Sequence, residues 1–273
     1  MKIQKALPYI LASLLLLALI SMAQSPRVLL KTRVGDGSAH ATDAGYFHLP
    51  PGSQNVSAIS ERDYLEIIGK FVTKNFLKAK EQTGLSLYVP FEWQSPWFGA
   101  YAKRTEDYSQ ISLLGGMARA PGATKAALVA ILCHELGHHI GGAPLQTIPS
   151  VEWSSSEGQS DFYAATQCLP EMLQSYPELA SEPSQEVLQK CGENLLCART
   201  MQAGLEMIQL TQRYSYRDYT PVQVTASEVA ATELIRNRYP TDQCRLDTFV
   251  QGALCQLGSA CRAPVCWLPE EQK

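Results

Sequence analysis

The stretch that most restricts this chain is residues 124–142. From Ala126 through Leu128, Val129, Ile131 and Leu132 to Ile140 it is apolar around most of its circumference, with Thr124 as a capping residue before it and Gly141-Gly142 after it. A helix that is apolar on every side has to lie inside a folded body, so the remaining elements must be built around it. Its second half nevertheless carries His134, Glu135, His138 and His139. Burying such groups is costly unless they are hydrogen-bonded or hold a metal.

Their order, His134-Glu135-Leu136-Gly137-His138, is the H-E-x-x-H pattern. Helical spacing of four sets both imidazoles on one face, where they can share one Zn2+ ion. Glu135 is then the candidate general base for a metal-activated water. A catalytic zinc needs a third protein ligand and one open position. The candidate lies nineteen residues after His138, in Glu157-Gly158-Gln159-Ser160-Asp161. Glu157 and Asp161 are four apart and share a face, so Glu157 can complete the ligand set while Asp161 accepts the free ring N–H of His134 or His138. Standing alone, such a pair would read as a solvated acidic helix start favoured by the helix dipole. His139 is rotated about 100° from His138 and is not expected to bind metal. His40 and His48 carry no chemical expectation.

The 273 residues are 45% hydrophobic and 18% charged, enough for a substantial core. The net charge of -3 and the lack of any Lys/Arg run argue against a nucleic-acid partner. Residues 1–23 have a short basic start, an apolar run and a small-residue end at Ser21-Met22-Ala23, the layout of a cleaved secretory signal; the alternative is an uncleaved anchor. The expected location is periplasmic or secreted, without stable membrane insertion after cleavage. All eight cysteines lie beyond this leader, an even number suited to disulfides in an exported chain. Eight cysteines allow 105 pairings. Cys133 adjoins the first histidine, and Cys168 lies eleven residues after Glu157 on the same helical face, so a bridge between the two ligand-bearing helices is expected rather than a redox switch.

The domain organisation follows as a signal at 1–23, a loop-rich segment at 24–58 and one domain at 59–273. In that domain Ser60 and Asp63 open a helix whose Tyr64, Ile67, Ile68, Phe71, Val72 and Phe76 share a face until Gly84. Residues 85–93 and 111–114 read as strands. Helices are expected over 157–174, 195–214, 225–238 and 244–257, with Thr225 and Glu228 as a capping box, and the tail from Cys261 reads as irregular. The fold class is therefore α+β, mostly helical, with a small sheet beside the metal-bearing helix.

The H-E-x-x-H motif followed by Glu157-x-x-x-Asp161 resembles the gluzincin metallopeptidases, and within them the HtpX-like and CAAX-prenyl-endopeptidase-like branch. Ser160-Asp161 corresponds to that branch's A-D pair. Arg238-Tyr239-Pro240, continuing to Arg245-Leu246, corresponds loosely to its T-H-P-x-x-x-R-I stretch. The resemblance spans about residues 111–168, more loosely up to 257, and implies a zincin-like fold. It also implies that Tyr239, standing where the branch has histidine, and Arg245 are candidates for stabilising an oxyanion; a helix-ending Tyr-Pro step and a structural arginine are the alternative. The strand near 109–116 would correspond to the gluzincin edge strand that binds extended peptide, or else be a covered core strand. The several apolar spans of the membrane-embedded relatives are missing, so a soluble exported member is implied. The expected function is a zinc metallopeptidase acting on protein or peptide substrates, the alternative a non-catalytic zinc-binding structural or interaction module in the cell envelope.

Overall fold

The computed structural model describes residues 48–54, 56–214, 220–227, 229–258 and 261–270. All belong to the compact unit Asp36–Lys273; the unit Met1–Gly35, and with it the expected signal at 1–23, lies outside the described residues. Of the segment 24–58, the described part is irregular but tied down. Leu49 N–H donates to Pro96 O at 2.6 Å, and the buried Arg119 guanidinium donates to Leu49 O.

The first helix, α1 (Glu61–Thr83), begins and ends as expected. Ser60 and Asp63 form a reciprocal capping box, and Gly84 closes the helix at φ 74°, a left-handed backbone that a side chain would resist. Its inner face, Tyr64, Ile67, Ile68 and Phe71, is buried. Three strands follow, β1 (Ser86–Tyr88), β2 (Ala100–Arg104) and β3 (Tyr108–Leu113), in the order β1-β3-β2. β1 pairs parallel with β3 (Ser86 opposite Tyr108) and β2 pairs antiparallel (Ala100 opposite Leu113). Residues 89–93 do not extend β1, since Pro90 has no N–H to continue a ladder. β3 is the covered central strand. The strand near 109–116 is thus not an edge, and the sheet's edges are β1 and β2.

A short helix α2 (Gly115–Arg119) leads to α3 (Lys125–Ile140), capped by Thr124 Oγ1 accepting from Ala127 N–H at 3.0 Å. Every residue from Ala126 to His139 is buried, and α3 packs against α1, β2 and the later helices α4 (Glu157–Tyr163) and α7 (Leu195–Arg213). α4 passes through a π-helical turn (Ala164–Cys168) into α5 (Leu169–Ser175). Pro170 explains the change of winding: it has no N–H for the Thr166 carbonyl, which accepts instead from Gln256 Nε2 at 3.4 Å. α6 (Gln185–Cys191) precedes α7, and α8 (Asp242–Leu254) begins at a Thr241 cap and ends in a 3-10 turn (Cys255–Leu257).

The helix expected over 225–238 is not there. Thr225 lies in a turn, and Glu228 lies outside the described residues. The backbone donors that a helix would use go elsewhere: Ala231 N–H donates to Val265 O at 2.9 Å and Ile235 N–H to Trp267 O at 3.0 Å. Leu234 and Ile235 pack on a small second cluster of Cys244, Ala263, Cys266 and Trp267, while Val229 is 85% exposed. The apolar spacing in this segment reflects contact with the C-terminal strap rather than a helical face.

All eight cysteines pair: Cys133–Cys168, Cys191–Cys197, Cys244–Cys266 and Cys255–Cys261. The first is the bridge expected between the helices that carry the two histidines and Glu157, reaching the second at the π-helical turn that continues it. Four disulfides are the chemistry of an oxidising, extracytoplasmic environment. Among the described residues no helix is long and apolar enough to cross a membrane.

Candidate metal centre

One turn of α3 separates His134 from His138, and their rings meet edge to face with centroids 4.7 Å apart. Glu157, the first residue of α4, brings its carboxylate between them, with Oε2 3.2 Å from His134 Nε2 and 3.7 Å from His138 Nε2. All three side chains are buried, and their donor atoms lie within 4.8 Å of one another, a group able to hold a metal ion.

The close approach of α3 and α4 depends on Gly137. A Cβ there would sit 2.7 Å from Ser160 O and 2.8 Å from Ser160 Cα, so the second variable position of H-E-x-x-H has to be empty. Gly158 does the same for the C-terminal strap, whose Trp267 indole occupies the space of its missing Cβ. Cys133–Cys168 then staples α3 to the π-helical turn just beyond α4.

The other ring nitrogens are fully engaged. His134 Nδ1 meets Asp161 Oδ1 at 2.7 Å. His138 Nδ1 lies 3.0 Å from Ser155 O, with Ser160 Oγ at 2.9 Å and Ser154 Oγ at 3.1 Å. A carbonyl only accepts, so His138 carries its hydrogen on Nδ1 and presents a lone pair on Nε2 toward Glu157. Asp161 imposes the same tautomer on His134 whenever that ring is neutral. Asp161 is itself gripped by Arg245, whose Nε and a terminal nitrogen donate to its two oxygens at 2.8 and 2.9 Å. Burial alone would raise the Asp161 carboxyl, but the Arg245 guanidinium and the His134 ring hold it below the usual carboxylate range.

Burial also disfavours a charged His134 ring. The Asp161 and Glu157 carboxylates outweigh it and raise that ring to about 10, so the pocket as built favours a positive charge between these groups. A proton and a metal ion compete for the same Nε2.

Glu135 is buried beside His134 on α3. Tyr239 arrives from the irregular segment before α8; the residue is half-buried and its hydroxyl oxygen is shielded from solvent. Desolvation, followed by the charge of Glu157 and, more weakly, that of Glu135, raises its phenol well above the usual value against the opposing Arg245. Geometry places the phenol ring beside the guanidinium that backs Asp161 and, through it, His134. The Arg245 guanidinium lies 5.0 Å from the Tyr239 ring centroid. Tyr239-Pro240 ends no helix here; it leads into the Thr241 cap of α8. Arg245 spends its fork on Asp161 and so meets the centre through that carboxylate.

His139 turns away, as its rotation on the helix requires. Its Nε2–H donates to Gln110 O at 3.0 Å and its ring stacks on Trp153 at 4.9 Å. His48 forms an isolated bridge with Trp97, and His40 lies outside the described residues. Sequence reasoning missed the serine clasp on His138. The run Ser154-Ser155-Ser156 directly before Glu157 was the available signal, since such residues bond to nearby backbone and ring groups.

No protein-family model, curated protein or solved structure matches this chain, and the likeness to gluzincins therefore rests on the motif residues alone.

Proposed function

We propose that this chain is an exported zinc-dependent peptidase of the gluzincin type, with a zincin-like fold, matured by removal of residues 1–23. One observation carries the reading: two imidazole Nε2 atoms and one carboxylate oxygen converge in a buried site, and both imidazoles are oriented from behind. The donor set suits zinc, whose His₂Glu sites leave one position open, and atoms bound to a common tetrahedral zinc at about 2.0–2.1 Å lie roughly 3.3 Å apart. The separations of 3.2 and 3.7 Å fit that requirement. Bound there, zinc supplies a Lewis acid that lets water serve as a nucleophile near neutral pH.

The chain's own groups supply the rest. Glu135 takes the proton from the attacking water and delivers it to the leaving amine, moves open to a buried carboxylate one residue from a ligand. Asp161 keeps His134 in the ligating tautomer, and Arg245 keeps Asp161 ionised and aimed. The Tyr239 phenol, whose pKa is raised, stays protonated at neutral pH and can donate to an oxyanion forming on the substrate carbonyl.

The test is to load the mature protein with one equivalent of zinc, incubate it with a diverse peptide mixture and read the products by mass spectrometry beside Glu135→Gln. Cleavage sites are expected with Glu135, and turnover about 10²–10⁴-fold lower in the variant at unchanged zinc content. If the folded, zinc-loaded protein cleaves nothing, the peptidase reading fails in favour of a binding module.

A further inference from the structure

Tyr239 sits in a segment without helix or strand, so the position of its ring beside the Arg245–Asp161 pair that backs His134 needs an explanation that secondary structure does not give. On its C-terminal side the backbone is fixed. Pro240 confines Tyr239 to extended conformations, and Thr241 caps α8, its Oγ1 accepting from Cys244 N–H at 3.2 Å. On the N-terminal side, two residues away, Asn237 makes a reciprocal pair of bonds across the surface. Thr147 N–H donates to Asn237 Oδ1 at 2.8 Å, and Asn237 Nδ2 donates to Thr147 Oγ1 at 2.7 Å. Arg236 adds a bond to Leu145 O at 3.0 Å.

The loop that receives these bonds is not a neutral anchor. Residues 141–156 connect α3 to α4, and the far end of the same loop supplies Ser154 Oγ and Ser155 O to His138 Nδ1. The loop is braced across its base, Gln146 N–H donating to Ser154 O at 2.8 Å. A displacement at Thr147 is therefore referred to the loop that holds a metal ligand.

We infer that Asn237, latched to Thr147, is a positioning residue that holds the Tyr239 hydroxyl in register with the His134–His138–Glu157 centre. The inference rests on the peptidase reading for its effect on turnover. Its geometric content, that Asn237 fixes the segment carrying Tyr239, stands apart from that reading. Asn237 and Thr147 are both exposed, so a substitution at Asn237 removes no core side chain and none of the three candidate ligands.

The experiment uses the zinc-loaded mature protein and a peptide that it cleaves. Asn237→Leu removes both bonds, whereas Asn237→Asp keeps an acceptor for the Thr147 amide and lets the Thr147 hydroxyl turn and donate. Asn237→Leu is expected to lower kcat about 10-fold, with KM and zinc stoichiometry unchanged, because a misplaced donor loses transition-state contact. Asn237→Asp should recover most of that loss. In a Tyr239→Phe background Asn237→Leu should cost nothing further, as a residue acting through the hydroxyl requires. An equal loss in both backgrounds, or lost zinc, would overturn the role. Amide exchange on the same proteins needs no turnover: Asn237→Leu should accelerate exchange at Thr147 and across 235–239, and Asn237→Asp should not. Unchanged exchange sinks the inference even if peptides are cleaved. Accelerated exchange in a protein that cleaves nothing sinks the peptidase reading and leaves the latch standing.

Discussion

The two parts of the candidate site are held by different physics. The three candidate ligands stand on α3 and α4, two buried helices pressed together at Gly137, stapled by Cys133–Cys168 and backed by the Asp161–Arg245 pair. Tyr239 stands on a segment whose own backbone bonds run to the C-terminal strap and whose nearest latch is a pair of exposed side-chain bonds. The core sets the ligand geometry, and surface hydrogen bonds set the tyrosine. Damage to the first part should show as lost stability, with lost metal where a ligand's orientation goes too, and damage to the second as lost turnover alone.

The largest effect is expected at Arg245. Arg245→Leu leaves a buried Asp161 carboxylate with His134 as its remaining strong partner, and breaking a buried pair from one side costs about 3–5 kcal/mol. Zinc affinity should fall about 10–100-fold as His134 loses its fixed orientation. Urea unfolding and competition with a chromophoric chelator measure the two. A stability change under about 1 kcal/mol would mean that the core does not set the ligand geometry. Next comes Cys133→Ala with Cys168→Ala. The bridge spans 35 residues, and the chain-entropy model assigns a loop of that size about 3–4 kcal/mol. The double variant should unfold at lower denaturant yet still bind zinc where folded.

On the other side of the comparison, Tyr239→Phe should lower kcat by about 10²-fold, the size of losing one oxyanion donor. Melting temperature and zinc content should stay where they are. A large drop in stability would show that the phenol is structural and erase the contrast between the two parts.

That contrast also decided what was readable in the sequence. The ligand helices were legible because their signals are local: the Thr124 cap, the unbroken apolar run, the i, i+4 histidines and the i, i+4 carboxylates each lie within a few turns of one helix. The bridge Cys133–Cys168 followed from the same helical geometry. β2 escaped notice because its inward residues are Ala100 and Ala102, too small to mark a strand. The helix expected over 225–238 failed because Leu234 and Ile235 answer to Trp267 and Cys266, distant in sequence. The serine clasp on His138 and the Asn237 latch depend on where a loop folds back, which no periodicity encodes. Central placement of β3 likewise follows from pairing with β2, a strand that its own composition hides.

His139 tests how far burial beside the centre reaches into the pH dependence of folding. Burial drives its ring down to about 4, with Arg104 adding to the effect and the bond to Gln110 O opposing it, so the native ring is neutral near pH 6. The unfolded chain protonates near 6.5. A native pKa below the unfolded one gives stability that is present above about 6.5 and lost as pH falls toward 4, since the unfolded state then binds the extra proton. Between pH 7 and pH 5 the loss should be on the order of 2 kcal/mol. His139→Gln can still donate to Gln110 O but cannot titrate. Denaturant unfolding in the presence of a chelator, which keeps metal release out of the comparison, should show the wild type losing that much more than the variant over this interval. Parallel pH curves would mean that the native ring takes up its proton as readily as the unfolded one. The stack of His139 on Trp153 would then be open enough to admit water, and the rigid half of the comparison would end at His138.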